Sequence, residues 1–500
     1  MSFCLFKLRP STTYLTFFLV ASFFIPVESR GQEFEWNQNF DAKIDSVVEQ
    51  IMKDFHHPGV ALALIQNGEV LKESYYGLAS IEFKVPVTDS TVFWLGSISK
   101  HYDCVAILKL QEQGKLHIKD SIYKYLPDIP VDWRGITIEH LMTHTSGLPF
   151  DGQDSSRGSN SVKDNMVYTS EIMYEGLKKD SLRFKPGTNF LYSGAGYSLL
   201  SLIMEKQSGM PYAEFMEKEI FHSLGMENTY IMDVTGIRPN QATGYRWHQG
   251  RLQLDRNDFR LIDKELGAGG GVYTTLKDMI TWNAMLNSDQ FLSRESIDSM
   301  FTTYVLNDGT PIFYGYGFFI SANLNNRIVS HTGIAGTEYL KNSGTQIDMI
   351  ILTNLGQPVD TPFRYQISKA LNILPYLSVH EFASAFKMEI GNPDTYSLEQ
   401  LLGQYEGDPE LYPIHATISK ADNQFVILYS ESKTPDGDEI PISLYPLKNH
   451  GVLEFEHFHH YPATHFVMYK PVFSGDDHSK VMALEVYYQG KLEGVLKKLN

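Results

Sequence analysis

The chain runs to 500 residues with 43% hydrophobic content, enough to bury a sizeable core without cross-links. Its formal charge of -17 argues against a nucleic-acid partner and against an anionic membrane surface. Cys4 and Cys104 are its only cysteines, which excludes a disulfide-stapled scaffold.

At the N-terminus, Lys7 and Arg9 precede an apolar run from Tyr14 to Ile25 that stops at Pro26. A charge, a short apolar run and then small and polar residues predict a secretory signal peptide over residues 1–31, cleaved near Ser29 or Gly31. The run is short for a membrane span, so no stable membrane insertion is expected after cleavage. The mature protein is expected to be secreted or periplasmic, with Cys104 as its sole cysteine.

Gly59 to Gly77 reads as two strands joined at Asn67-Gly68, a strong local hairpin signal. His56 and His57, just before it, read as solvent-facing loop residues and not as ligands. Next comes Phe93-Trp-Leu-Gly-Ser-Ile-Ser-Lys100. From Ile98 the apolar positions Ile98, Tyr102, Val105 and Leu108 recur at helical spacing, widened by Cys104, Ile107 and Leu110, until Gln113-Gly114 supplies a stop. Ser97 and Lys100 lie three apart at the start of this helix, so they share a face. A serine hydroxyl becomes a nucleophile when a neighbouring base takes its proton. Burial and the positive end of a helix both disfavour the lysine ammonium, which makes Lys100 a candidate base. The N–H of Ser97 is a candidate oxyanion donor.

Ile136 to Pro149 predicts a short helix capped at Ser146-Gly147. No Gly-x-Ser-x-Gly elbow occurs, so His144 beside Ser146 does not make an α/β-hydrolase. Phe150 to Thr169 is rich in Ser, Asp, Asn and Gly and reads as a loop able to act as a lid. A turn at Pro186-Gly187 then leads through Tyr192 into a further helix.

Taken in order, Ser97-x-x-Lys100, His144 to Pro149, Tyr192-Ser193, Ile220 to Thr229, Gly267 to Thr275 and His331-Thr332-Gly333 resemble the serine β-lactamase and penicillin-binding-protein superfamily. More closely, they resemble its class C-like branch of class C β-lactamases, D,D-carboxypeptidases, D-aminopeptidases and family VIII esterases. The resemblance covers residues 34–374. It implies an α/β (α+β) fold of the β-lactamase/transpeptidase type, an antiparallel sheet flanked by helices plus an all-helical subdomain.

The resemblance also implies roles. Ser97 is the acylated nucleophile, Lys100 its proton acceptor, and Tyr192 the phenol that passes a proton to the leaving group. His331, Thr332 and Gly333 form the third motif on an edge strand. There the N–H of Ile334 completes the oxyanion hole and Thr332 lines the groove. No cofactor or metal is expected. Two positions depart from the pattern. Gly194 stands where the family usually has an asparagine that holds the substrate's acylamino group and contacts the lysine, which weakens the peptide-binding and β-lactam-binding readings. His331 replaces a lysine, which would make the binding of an anionic group pH-dependent near neutrality. Gly269-Gly270-Gly271 lacks the ending of a phosphate loop and reads as a turn.

Past a linker at residues 375–394, short alternating runs such as Phe425 to Tyr429, Ile442 to Tyr445 and Lys480 to Tyr488 predict a small antiparallel β-sheet or barrel domain over 395–500. His457, His459, His460 and His465 cluster there without a recognised metal-ligand spacing and read as an exposed polar strand.

The expected protein is a secreted serine hydrolase that cleaves small amide or ester bonds, such as D-amino-acid peptides or esters, through an acyl-enzyme on Ser97. Its partner is a small-molecule or peptide substrate, including peptides derived from cell wall, and its oligomeric state is open. The alternatives are a penicillin-binding D,D-carboxypeptidase or class C-like β-lactamase, and a pseudoenzyme that binds cell-wall peptides.

Overall fold

The structure is a computed structural model. It describes residues 36, 38–149, 170–232, 236–248, 250–255, 268–323, 326–356, 363–371 and 373, and a set of strands between 402 and 499. The expected leader, the Phe150 to Thr169 loop, the 375–394 linker and the histidines at 457, 459, 460 and 465 lie outside these residues. No helix among the described residues is long and apolar enough to cross a membrane.

Helix α1 (Gln38–Asp54) leads into β1 (Gly59–Gln66) and β2 (Glu69–Ser80). The two strands pair across Asn67 and Gly68, both at positive φ, as a two-residue hairpin turn requires. Short strands β3 (Val85–Pro86) and β4 (Phe93–Trp94) follow, and then α2 (Lys100–Glu112) and α3 (Ile138–Met142). Helices α4 (Ser170–Leu177) and α6 (Tyr212–Phe215) pack against the intervening α5 (Gly194–Ser208), which also contacts α2 and α3. These form the helical part of the fold.

The chain then returns through β5 (Tyr230–Ile231), β6 (Tyr245–His248), β7 (Arg251–Leu254), β8 (Val272–Thr274), α7 (Leu276–Leu286) and α8 (Arg294–Met300). It closes the main sheet with β9 (Phe319–Asn323), β10 (Asn326–Thr332), β11 (Glu338–Asn342) and β12 (Ile347–Thr353). After β13 (Leu355–Gly356), helix α9 (Phe363–Leu371) packs against α1.

The main sheet has seven strands in the order β3-β2-β1-β12-β11-β10-β9, all antiparallel. Val60 to Leu64 and all of β12 are buried, which is why these segments are apolar on both faces. Helix α7 contacts both central strands. One continuous core runs from Ala61, Ile350 and Leu352 in the sheet to Trp282 of α7 and on to Val105, Leu199 and Ile203 among the helices. Burial of that core excludes a large apolar surface from water at about 25 cal/mol per Å2.

Three expectations differ from the structure. First, α3 ends at Thr143, and the left-handed residue after it is His144 (φ 58°), not Gly147. The N–H of Thr145 donates to the carbonyl of His140 and that of His144 to Leu141, the pair of bonds that closes a helix in a Schellman turn. Second, β10 is not the edge strand. Beta9 pairs with it only as far as Ser330, so His331 and Thr332 run on beyond their neighbour. Third, His57 is buried, with Nδ1 2.8 Å from Thr353 Oγ1 and its ring edge-on to Phe363, so it ties the end of α1 to β12 and α9.

Beyond residue 402, β14 (Gly403–Glu406), β15 (His415–Ala421), β16 (Gln424–Tyr429), β17 (Ile442–Pro446), β18 (Val452–Glu454), β19 (Val467–Phe473), β20 (Val481–Tyr488) and β21 (Lys491–Lys498) pair antiparallel in sequence order. Pairing of β14 with β21 closes them into a barrel, which removes exposed sheet edges.

Burial holds the His57 imidazole down at about 3, and His56 adds to the effect. The unfolded chain takes up this proton near pH 6.5, so the stability contributed by neutral His57 is complete above that pH and is lost as pH falls towards 3. The expected slope is up to about 1.4 kcal/mol per pH unit. The thermal midpoint of wild type should therefore fall more steeply between pH 6.5 and pH 4 than that of His57→Asn. Parallel curves would show that His57 does not remain neutral in the fold.

Candidate active site

Gly96–Ser99 forms a 3-10 turn that runs directly into α2. The turn keeps Ser97 and Lys100 on one face. Lys100 Nζ donates to Ser97 Oγ at 3.2 Å and to the carbonyl of Gly269 at 2.7 Å. Ser97 is partly exposed while Lys100 is buried. Ten of the thirteen residues of α2 are buried, which fixes the helix on nearly all sides.

The turn lies hard against the end of β10. Gly96 has φ 56°, and a Cβ on it would stand 2.8 Å from the backbone nitrogen of Ile334. Opposite, a Cβ on Gly333 would stand 2.0 Å from the carbonyl oxygen of Leu95. Only glycine on both sides permits this approach. Thr337 Oγ1 donates to the Leu95 carbonyl at 2.9 Å, and the Leu95 N–H donates to Val272, so the segment is clamped from two elements. Among the described residues, the Ile334 N–H has no hydrogen-bond partner. It therefore stands available beside the serine turn, as an oxyanion donor must.

Tyr192 precedes α5, whose N-cap is Ser193. The Tyr192 ring centroid lies 4.9 Å from Lys100 Nζ, and the ring stacks on Phe319 and tilts over His144 at 4.2 Å. His144 Nδ1 accepts the Ser193 N–H at 3.0 Å. The left-handed residue that ends α3 thus also sets the start of α5, which orients Tyr192. Gly194 is the first residue of α5 and is half-buried.

His331 is buried. Its Nδ1 lies 2.7 Å from the Thr332 carbonyl and must carry the proton, so Nε2 accepts from the Tyr314 hydroxyl at 3.2 Å. Burial lowers its pKa to about 3, the Lys100 and Arg364 charges add to the shift, and the bond to Thr332 opposes it. This corrects the expectation of a titration near neutrality. His331 stays neutral there because Phe319, Tyr314 and His101 enclose it. His101 and His144 are likewise held well below the ordinary histidine value, chiefly by burial.

The structure thus gathers Ser97, Lys100, Tyr192 and the His331 to Ile334 segment around one point. Three participants were not singled out from sequence. The Gly269 carbonyl has no side-chain signature, although its turn was expected. His144 was set aside with the triad reading, and Asp103 was passed over although it lies three residues beyond Lys100 on the same helix. Cys104 is buried and burial pushes its thiol up, so it is no nucleophile. Among the described residues, no group of three His, Cys, Asp or Glu side chains is placed to hold a metal ion.

An antiparallel sheet and a helical cluster meeting at a Ser-x-x-Lys turn define the class of the serine β-lactamases and penicillin-binding proteins. Residues 44–370 match the family described as Beta-lactamase, and the chain belongs to that family, one of serine hydrolases. It is 30% identical over 313 residues to penicillin-binding protein 4* of Bacillus subtilis, a match that covers 59% of this chain and 67% of that protein. Its fold resembles the octameric penicillin-binding protein homologue from Pyrococcus abyssi, with a TM-score of 0.57 at 24% identity over 92% of this chain and 100% of that one. It also resembles the D-amino acid amidase from Ochrobactrum anthropi SV3 in complex with L-phenylalanine amide, with a TM-score of 0.56 at 19% identity over 67% of this chain and 99% of that one.

The glycine contact is testable without a substrate. Gly96→Ala places a methyl group against the Ile334 nitrogen, whereas Gly114→Ala, also at positive φ, meets nothing within 4 Å. Both lose about 1 kcal/mol to backbone strain, and Gly96→Ala is expected to lose a further ~1–3 kcal/mol. Equal falls in thermal midpoint for the two variants would contradict the contact.

Proposed function

We propose that the protein is a secreted serine hydrolase that cleaves small amide or ester bonds through a covalent acyl-enzyme on Ser97. The observation that carries this reading is the placement of Lys100 Nζ 3.2 Å from Ser97 Oγ, beside an unengaged Ile334 N–H. Family membership and the amidase likeness support the bond type.

In this reading the unprotonated Lys100 amine takes the proton of Ser97 as Oγ attacks the substrate carbonyl carbon. The oxygen of that carbonyl becomes an oxyanion between the N–H groups of Ser97 and Ile334. As the tetrahedral intermediate collapses, the C–N or C–O bond breaks, and Tyr192 passes a proton to the departing amine or alcohol. Lys100 returns its extra proton to Tyr192, so both are reset; water then attacks the acyl-Ser97 carbonyl and gives its proton to Lys100, and as the C–Oγ bond breaks that proton returns to Ser97 Oγ and the acid is released. Thr332 and Gly333 line the groove. Neutral His331 offers no cation to a substrate carboxylate, so the groove does not select for anionic substrates.

Gly194 offers no side-chain amide to an acylamino substituent, which favours simple D-amino-acid amides and short esters over penicillins. Secretion rests on the Lys7, Arg9 and Tyr14 to Ile25 pattern. Residues 34–374 carry the chemistry in this reading, with 375–394 as the linker and 395–500 as an accessory β domain.

Turnover of p-nitrophenyl butyrate or D-alanine p-nitroanilide should vanish in Ser97→Ala and fall by roughly 100- to 10,000-fold in Lys100→Ala. Fluorescent penicillin should react more slowly than either. Undiminished hydrolysis by Ser97→Ala would overturn the proposal.

A further inference from the structure

We propose that Asp103 is a positioning residue for the Ser97–Lys100 pair, anchoring Gly269 so that its carbonyl holds the lysine nitrogen against the serine. This rests on the acyl-enzyme reading above. Ser97, Lys100 and Asp103 recur every three residues and face one side of the same helical segment. Both carboxylate oxygens of Asp103 are engaged: Oδ1 accepts the Tyr212 hydroxyl at 2.6 Å, and Oδ2 accepts the Gly269 N–H at 2.6 Å. The carbonyl of the same glycine receives Lys100 Nζ at 2.7 Å. One residue of the turn is therefore held by α2 on two sides, by Asp103 through its N–H and by Lys100 through its carbonyl. A side chain at 269 would meet Tyr197 Cβ at 2.9 Å, so the turn has little freedom to settle elsewhere.

Asp103 is completely buried. A buried carboxylate is costly, and apolar residues of similar volume usually give an equal or more stable core. Its position next to the lysine and its use of both oxygens give it a role that packing alone does not supply. The groups that face it are Lys100 and Cys104 on its own helix, Tyr212 from α6, and the Gly269 N–H, with Tyr197 of α5 3.5 Å from Cys104. Burial keeps Cys104, Tyr197 and Tyr212 protonated, so Lys100 is the basic side chain that faces the carboxylate.

Burial pushes the Asp103 carboxyl up to about 7, against the Tyr212 and Gly269 hydrogen bonds and the Lys100 charge, which pull it down. Once protonated, the carboxyl can turn its own hydrogen towards the Tyr212 hydroxyl, which accepts as well as donates, so both contacts persist. The Gly269 N–H then donates to a neutral carboxyl instead of a carboxylate, the charge-assisted part of that bond is lost, and the Gly269 anchor weakens. Activity therefore falls on the acid side as Asp103 takes up its proton.

The test is the pH dependence of kcat and KM for p-nitrophenyl butyrate hydrolysis by the full chain, in wild type, Asp103→Asn and Tyr212→Phe. Wild type should show an acid limb near pH 7. Asp103→Asn should lower kcat at least about tenfold, change KM less than about twofold and lose that limb. Tyr212→Phe removes a donor that favours the carboxylate, so its limb should move to higher pH. If Asp103→Asn does not fold, the Tyr212→Phe limb decides alone. A profile for either variant that overlays wild type after scaling overturns the inference and leaves the acyl-enzyme intact. If wild type shows no Ser97-dependent turnover at all, the acyl-enzyme reading falls and this inference falls with it.

Discussion

The contact between Gly96 and the end of β10 is the constraint on which the site depends. A helix start and a strand end meet without a Cβ on either side, closer than any other residue pair allows. This proximity puts the Ser97 turn and the Ile334 N–H next to one another. The Leu95 carbonyl, bonded to Thr337, and the Leu95 N–H, bonded to Val272, hold the approach from opposite directions. Alpha2 is buried on nearly every side, packed into the core that flanks the contact. Glycine adopts the left-handed φ of position 96 without strain, whereas a residue with a Cβ would be strained there and would meet the Ile334 nitrogen.

The electrostatic setting follows from the same packing. Lys100 lies among aromatic rings and among histidines that burial keeps neutral, with hydrogen bonds to Gly269 and Ser97 and the Tyr192 ring at 4.9 Å. Charges interact strongly in such a region because little water screens them. Asp103, buried three residues along the same helix, bonds the N–H of the glycine whose carbonyl receives the lysine. Farther out, Arg364 and Glu338 form a buried ion pair that ties α9 to β11, directly opposite Thr332 in the strand register. The chemistry-bearing end of β10 is thus braced from behind as well as from the side.

Much of the fold was legible because its signals are local. The Asn67-Gly68 hairpin, the apolar spacing of α2 and the alternating runs of the barrel are each set by residues within a few positions of one another. The Ser97 and Lys100 contact follows from three-residue spacing alone. What sequence reasoning missed depends on distant partners. His144 ends α3 in place of a glycine because its ring also receives the Ser193 N–H, 49 residues on. Beta10 lies inside the sheet because β9 pairs with it, and β9 begins in a Phe-rich stretch that carries no hairpin signal. The neutral state of His331 comes from rings supplied by α2, β9 and the segment before β9, so no local reading reveals it. The Gly269 carbonyl belongs to the backbone and has no residue-type signature at all.

The central claim is that Ser97 becomes covalently acylated. The most direct measurement is rapid-quench mixing of the purified protein with p-nitrophenyl butyrate, with intact mass and peptide mapping of the quenched sample. The account predicts a burst of p-nitrophenolate that approaches one equivalent, with the butyryl mass on the peptide containing Ser97. Steady release of product with no burst and no adduct, or an adduct on another residue, would contradict it.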